Sequence, residues 1–532
     1  MVHEEGIDLQ FSERLGHGYC ERTTGAWSLR HRLILVVCAF FLVGSLASAV
    51  LATPQWSFNG TRLIPSYLLA YGHRALELHG KGPLYSTHYG PLTYIVYLPA
   101  TVFHTPNAAV LAGSTLTVAL CLIAIVWLHF GGGRWRKDFW GALLGFTAAG
   151  YLVCFLEPLR YSCVNVHADG PAIAFGGAAC ALLRYRGNRL ALVSSATLAV
   201  CAALCKQPMA LLAVGLVAYL VLARGRASAI LYAKALCGAG LILGGACLWA
   251  FGARELYYNL LIAARQPWSE TGLAVIVQPV RALIRVMFPV LLVGMAAWMT
   301  AMKQADWKFQ ALRWLRGNDC SILFVAGFAV LPSSLAGFAK IGADVNSLSF
   351  SSFFFTIGVT CMLADLASES SRREVRRVSR GCLLAITVLL AAAEFPVALP
   401  RRIQELRSAE QHFAYDYLRA YPHTTFFPWF PLSHVLAEGR FYHWSYGIID
   451  RVLAGETVSP EYFRAYAPAK MANIAFGKDG AREVLGIDLL SFWGAASPCV
   501  RSDPALPSWE VYGTSASTCT LAARTSRSTT RN

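Results

Sequence analysis

Long apolar runs broken by short polar connections fill the first 400 residues of this chain. Runs able to cross about 30 Å of hydrocarbon are read at Leu33 to Ala52, Asn107 to His129, Trp140 to Glu157, Pro171 to Leu183, Leu190 to Leu204, Pro208 to Ala223, Ile230 to Phe251, Val275 to Thr300, Ser321 to Phe338, Ser349 to Leu366 and Gly381 to Ala398. Each is predicted to be a helix, which gives about eleven spans once short or tilted ones are allowed. One polar stretch interrupts this pattern early: Glu77 to Tyr97, ELHGKGPLYSTHYGPLTYIVY, is punctuated by Gly and Pro and rich in tyrosine. It reads as a site at a membrane surface.

The connections alternate in basic charge, and that alternation sets topology. Arg30 and Arg32; Arg134, Arg136 and Lys137; Arg184, Arg186 and Arg189; Arg224 and Arg226; Lys303, Lys308, Arg313 and Arg316; and the cluster from Arg372 to Arg380 mark the cytoplasmic side. Residues 59–106, 159–170, 206–207, 252–272 and 339–346 are thinly basic and are assigned outward. An odd number of spans then places the chain beyond Pro400 outside as well. The expected organisation is a cytoplasmic segment 1–32, a multi-pass region 33–399, an outward C-terminal region 400–520 and a tail 521–532 that reads as disordered by composition.

Composition agrees with a membrane class. The 532 residues are 56% hydrophobic and 14% charged, with a mean hydropathy of +0.46, which excludes an ordinary soluble globule. The net charge of +16 is spread over short loops, as topology signals are, so nucleic acid is not an expected partner. The first thirty residues lack the apolar core of a secretory signal, and Leu33 to Ala52 is expected to stay as an anchor. Cysteines such as Cys38, Cys121, Cys154, Cys180, Cys201, Cys237 and Cys247 fall inside apolar runs and read as packing residues. Cys499 and Cys519 lie in the outward tail, where an oxidising compartment permits a disulfide. No Cys or His set has zinc-ligand spacing.

Ionisable groups at helix ends beside a membrane are costly and therefore candidates for function. The outward acids before the tail are Glu77, Glu157, Asp169, Glu255, Glu270 and Asp344. Asp169 follows His167 in VNVHADGPAIAF and opens a helix with Pro171, so it reads both as a helix-end carboxylate suited to the dipole and as a site residue. Glu77 reads equally as the exposed face of a juxtamembrane helix. Lys206 and Gln207 interrupt two apolar runs in ALCKQPMAL, and Lys340 recurs in that setting in FAKIGADVNSL, with Asp344 and Asn346 close behind. Two such lysines suit a phosphate or pyrophosphate, or else pair with a carboxylate or a lipid headgroup. Tyr85, His88 and Tyr89 follow the Gly82-Pro83 turn and precede Gly90-Pro91.

A long outer loop ending in GKGPLYSTHYGPLTYIVYLPA, a short RWRK turn, HADGPA, a later CKQ and then KIGADVN together resemble the GT-C superfamily of membrane glycosyltransferases. The branch most alike contains protein O-mannosyltransferases and lipid A aminoarabinose transferases, and the resemblance covers about residues 30 to 370. It implies an all-α membrane bundle with juxtamembrane helices in the first outer loop and a groove open to lipid. It further implies a polyprenyl-phosphate sugar as donor, with a glycan, lipid or protein as acceptor. HADGPA resembles the family's Arg-x-Asp-Pro element, with Asp169 as the match and His167 in place of the arginine. The family's acid early in the first outer loop has no counterpart: FNGTRLIPSYLLAYGHRA holds Asn59 and Arg62 but no carboxylate. A divalent metal enters only through the resemblance and finds no support in the residues.

On this reading Asp169, then Glu77, is the expected base. Lys206 and Lys340, helped by His88 and Arg160, neutralise the leaving phosphate. Tyr85, Tyr89, His167, Gln207, Asp344 and Asn346 are expected to line the substrate. The segment FPWFPLSHVLAEGRFYHWSYG is expected to act as a lid or docking surface over the groove. The rival classes are a transporter or flippase, which would place ionisable groups at helix midpoints, and a non-catalytic scaffold. Within enzymes, a polymerase or ligase using a lipid-pyrophosphate donor stands as an alternative.

Overall fold

The computed structural model describes residues 27–76, 81–85, 88–133, 136, 138–302, 318–369, 373–393, 399–477, 482–493, 500–501 and 509–513. Glu77, Cys499, Cys519, the first 26 residues and the 521–532 tail lie outside them.

Each apolar run corresponds to a helix: Leu29–Ala52, Pro106–Phe130, Phe139–Phe155, Asp169–Tyr185, Arg189–Cys205, Ala210–Ala223, Arg226–Phe251, Ala274–Met302, Ser321–Phe338, Ser349–Glu369 and Arg373–Ala393. Their ends follow local chemistry. Asp138 accepts from the Gly141 amide at 2.9 Å and Asn188 from the Ala191 amide at 2.9 Å, each capping the helix it precedes. The number of full crossings is a different matter. Among the described residues six helices are long and apolar enough to span, or seven if Phe139–Phe155 and Glu157–Val164, bent by 94°, count as one broken span. Helices of 17 residues, such as Asp169–Tyr185 and Arg189–Cys205, extend only about 25 Å, short of about 30 Å of hydrocarbon. The chain is an integral membrane protein, and among the described residues six or seven of the eleven expected spans have the length and apolarity of a full crossing.

The Ser349–Glu369 helix is the hub. It packs against Phe139–Phe155, Ser321–Phe338 and Arg373–Ala393 and buries Phe350, Phe353 and Phe354. By contrast, Arg226–Phe251 leaves Leu241, Ile242 and Trp249 exposed, an apolar surface that suits lipid. The basic connections meet at one end of the bundle: Arg184 pairs with Asp365 at 2.9 Å, Ser368 donates to Asp138 at 2.7 Å, and the Arg224 guanidinium donates to the Leu183 and Arg186 carbonyls. The thinly basic connections meet at the other end, described below.

Short helices at Ser57–Thr61, Ile64–Ala70 and Pro91–Val96 fill the segment between the first two long helices, as expected. The C-terminal region departs from the all-α expectation. Its helices, from Leu399–Arg407 to Pro460–Ala465, are joined by a four-stranded mixed sheet in which Thr425–Phe426 runs parallel to Asn473–Phe476, with Glu510–Gly513 and Val500–Arg501 antiparallel beyond it. The strands are only two to four residues long, too short to alternate visibly in the sequence. Phe426, Phe427, Trp429, Phe430 and Trp509 form their core.

Candidate active site

Asp169 begins the Asp169–Tyr185 helix and is completely buried. Four side chains donate to its carboxylate: Lys206 Nζ as an ion pair, His167 Nδ1 at 2.8 Å, Ser162 Oγ at 3.0 Å and Asn346 Nδ2 at 3.0 Å. A buried charge is tolerable only with such satisfaction, and four donors occupy the lone-pair positions a carboxylate offers. On its other ring nitrogen, His167 Nε2 meets the Tyr89 hydroxyl at 3.1 Å and Asn346 Nδ2 at 3.4 Å. The Lys206 ammonium lies 5.4 Å from the ring centroids of both Tyr89 and Phe350.

Lys206 owes its position to a break in the chain. The Arg189–Cys205 helix stops at Lys206, whose backbone is extended, and a short turn Gln207–Met209 starts the next helix. The loop between the first two long helices docks on this break: the Gly90 amide donates to the Cys205 carbonyl at 3.0 Å, Thr93 Oγ1 donates to the same oxygen at 3.0 Å, and Gln207 Nε2 donates to the His88 carbonyl at 2.9 Å. A Cβ at Gly90 would stand 1.9 Å from the Leu204 carbonyl oxygen, so only glycine permits this approach.

Behind His167, the first-loop residues Asn59 and Arg62 act as braces. Asn59 donates to Asn165 Oδ1 at 2.9 Å and accepts from the Val166 amide at 3.0 Å. Arg62 stacks over Trp56 at 4.6 Å and donates to the Tyr161 hydroxyl at 3.0 Å. Where the family resemblance expects a carboxylate, this chain has an amide and a guanidinium holding the loop that carries His167.

The C-terminal region closes the other flank. Leu84 accepts from the Trp444 amide at 2.9 Å, its own amide donates to His443 Nδ1 at 2.9 Å, and the Tyr462 hydroxyl donates to the Gly82 carbonyl at 2.6 Å. His88 Nδ1 lies 3.7 Å from Asp450 Oδ2, and Gln266 Nε2 donates to Asp450 Oδ1 at 2.8 Å. Next to it the fully buried Arg451 lies over the Tyr258 ring at 4.8 Å. Lys340 donates from Nζ to the Ala264 carbonyl at 3.0 Å, and burial pushes its ammonium down. Burial, reinforced by Lys206 and Arg451, pushes the His88 imidazole down to about 3. His167 is likewise pushed to about 3 by burial and by Arg62, against the pull of Asp169.

The structure thus brings together Asp169, Lys206, His167, Tyr89 and Asn346, with His88, Gln207 and Lys340 around them. Tyr85 is buried in the cluster that holds Leu63, Tyr67 and Trp444. Arg160 is exposed on the Glu157–Val164 helix, and Asp344 is exposed and caps the Val345–Leu348 turn by accepting from the Val345 amide at 2.7 Å. Sequence reasoning did not reach Asp450 and Arg451; their helix, SYGIIDRVL, has an ordinary amphipathic pattern with no local sign of a site. Among the described residues no group of three or more His, Cys, Asp and Glu is placed to hold a metal ion.

No protein-family model matches the chain, and no curated protein matches it either. Solved structures do. ArnT from Cupriavidus metallidurans bound to undecaprenyl phosphate superposes with a TM-score of 0.57 at 12% identity, over 92% of this chain and 99% of that one. The same protein in its apo state gives 0.54 at 11% identity, over 92% and 99%. At that identity the likeness is one of fold: this chain shares its architecture with that protein along nearly the whole of both chains.

Proposed function

We propose that this protein is a membrane glycosyltransferase that moves a sugar from a polyprenyl-phosphate donor to a lipid, glycan or protein acceptor. The observation that carries the reading is Lys206, held on a fully buried carboxylate at a helix break, in a fold whose solved neighbour binds undecaprenyl phosphate. The alternation of basic loops assigns this end of the bundle to the outer face, and a bacterial inner membrane is the setting that fits.

Sugar transfer passes through an oxocarbenium-like state while charge builds on the departing phosphate. Preorganised cations stabilise that charge more than they stabilise the ground state. Lys206 uses one of its three N–H donors on Asp169 and keeps two for phosphate oxygens. Lys340 and Arg451 add positive charge around His88. Asp169 is assigned the task of positioning Lys206, in place of the base expected from sequence, because its oxygens are already engaged. The buried ionisable groups Asp169 and Arg184 stand in the first and last turns of their helix. That placement favours chemistry at one face over passage through the bundle.

Mass spectrometry of glycolipids and envelope glycans tests this reading. The comparison is between cells lacking the protein, cells restored with it, and cells carrying Lys206→Ala. Loss of one sugar with build-up of a polyprenyl-phosphate sugar, reversed only by the intact protein, is the expected result. An unchanged profile across the strains would overturn it.

A further inference from the structure

Asp169, His167 and Tyr89 form a continuous line. His167 Nδ1 is 2.8 Å from Asp169 Oδ2, and Nε2 is 3.1 Å from the Tyr89 hydroxyl. The tautomer follows from the partners. The Asp169 amide N–H also points at Nδ1 from 3.2 Å, but an unprotonated Nδ1 would set its lone pair against a carboxylate at 2.8 Å and leave an Nε2 proton facing the Asn346 amide N–H. The proton therefore sits on Nδ1 and is donated to Asp169. Nε2 is then an acceptor, and both groups that face it, the Tyr89 O–H and the Asn346 amide, are donors.

Burial grades along the same line. Asp169 and His167 are 0% and 1% exposed, whereas Tyr89 is only half-buried, in the loop that docks beside Lys206. Tyr89 gives its proton inward to His167, so its oxygen lone pairs are left for a donor arriving from the open side. An isolated buried histidine braced by structure alone would not need the hydroxyl of a half-buried tyrosine at its other ring nitrogen.

We propose that Tyr89, with His167 behind it and Asp169 orienting His167, is the proton relay that activates the acceptor hydroxyl, a task left without a carboxylate between Phe58 and Ala75. The inference rests on the transferase reading. In the step, the acceptor O–H bond breaks and its proton passes to Tyr89 Oη while the Tyr89 proton passes to His167 Nε2. The acceptor oxygen forms a bond to the anomeric carbon as the bond from that carbon to the phosphate oxygen breaks. The electron pair leaves on the lipid phosphate beside Lys206, and the proton on His167 returns through Tyr89 to the released phosphate or to water.

Burial, Arg62 and Lys206 favour the neutral form of His167. A phosphate bound at Lys206 cancels part of that positive field and raises the basicity of His167 when the donor is in place. Acceptor activation is thereby coupled to donor binding, which guards the donor from premature attack.

The test uses full-length protein in proteoliposomes with a panel of undecaprenyl-phosphate monosaccharides as donors and extracted membrane glycolipids as acceptors, reading release of undecaprenyl phosphate. No release by the wild type with any donor would overturn the transferase reading and the relay with it. Where the wild type turns over, Tyr89→Phe should lower kcat by on the order of 100-fold with the donor KM within about threefold. Azide, a nucleophile that needs no deprotonation, should restore most of that loss. His167→Gln should show the same azide-dependent recovery. Two results would overturn the relay while leaving the transferase standing: Tyr89→Phe within about threefold of wild-type kcat, or a loss that appears in donor KM and that azide does not restore.

Discussion

The Asp169–Tyr185 helix carries a buried ion pair at each end, and the two differ in kind. At its start Asp169 meets Lys206, with His167, Ser162, Asn346 and Tyr89 arranged around the pair and Lys206 14% exposed. In its last turn Arg184, 1% exposed, meets Asp365, 13% exposed, so the two pairs are buried to the same degree. Both pairs suit the helix dipole, acid at the N-terminus and base at the C-terminus. One is embedded in a network of hydrogen-bonding side chains, whereas the other is a contact between two helices. A buried charge pair is therefore not in itself a sign of function. What marks the first is that Ser162, His167, Lys206 and Asn346 are drawn from separate segments of the chain onto one carboxylate.

The largest effects should separate the two ends. Asp169→Asn and Lys206→Met should each reduce sugar transfer by about 100- to 1,000-fold. The double variant should recover thermal stability lost in Lys206→Met but none of the activity, as read by unfolding in detergent beside a transfer assay. At the opposite end Arg184→Leu should cost about 1–3 kcal/mol, because the partly exposed Asp365 carboxylate loses its guanidinium partner. Adding Asp365→Leu should recover most of it, with transfer per folded molecule unchanged. A fully stable Arg184 variant without activity would erase the contrast.

Acid should sharpen it. His88 and His167 are held near 3 in the fold and titrate near 6.5 when unfolded. The unfolded chain then binds protons that the fold refuses. Their stabilising share is complete above about pH 6.5 and declines as pH falls toward 3, by up to about 1.4 kcal/mol per unit for each histidine. Hydrogen exchange corrected for intrinsic rates should show protection falling between pH 7 and 5 around residues 88–93 and 165–170 before it falls around 182–186 and 361–366. The smallest effect is at the docking point: Gly90→Ala should cost about 1–3 kcal/mol by forcing the loop off the Leu204 carbonyl, and should lower transfer through misplacement of Tyr89.

The helical part of this architecture was open to reading because each apolar run is local, and each run is matched by a helix. Full crossings were less legible, since 17-residue helices and a 94° bend do not announce how they sit in a bilayer. Asp169, Lys206, His167, Tyr89 and Asn346 stood out as polar residues in apolar or Gly/Pro-broken surroundings, and the structure gathers them. Their division of labour was hidden. That Asp169 has every oxygen engaged depends on Asn346, 177 positions away. Asp450 and Arg451 reach the site only because a helix of ordinary pattern folds back on the first loop. The strands of the C-terminal sheet owe their existence to partners rather than to any long alternating run.

The contacts between His443 and Leu84 and between Tyr462 and Gly82 join positions 359 and 380 residues apart. At roughly 5–20 residues per second, a ribosome needs on the order of 20 to 80 s to make that interval. Throughout that time the loop bearing Tyr89 has been synthesised without the segment that pins it. A chain interrupted before residue 443 would contain Asp169, Lys206 and His167 yet lack this clasp, so the site is completed only when the late segment has been delivered to the same side of the membrane as the early loop. Completion of this candidate site is thereby tied to finished biogenesis.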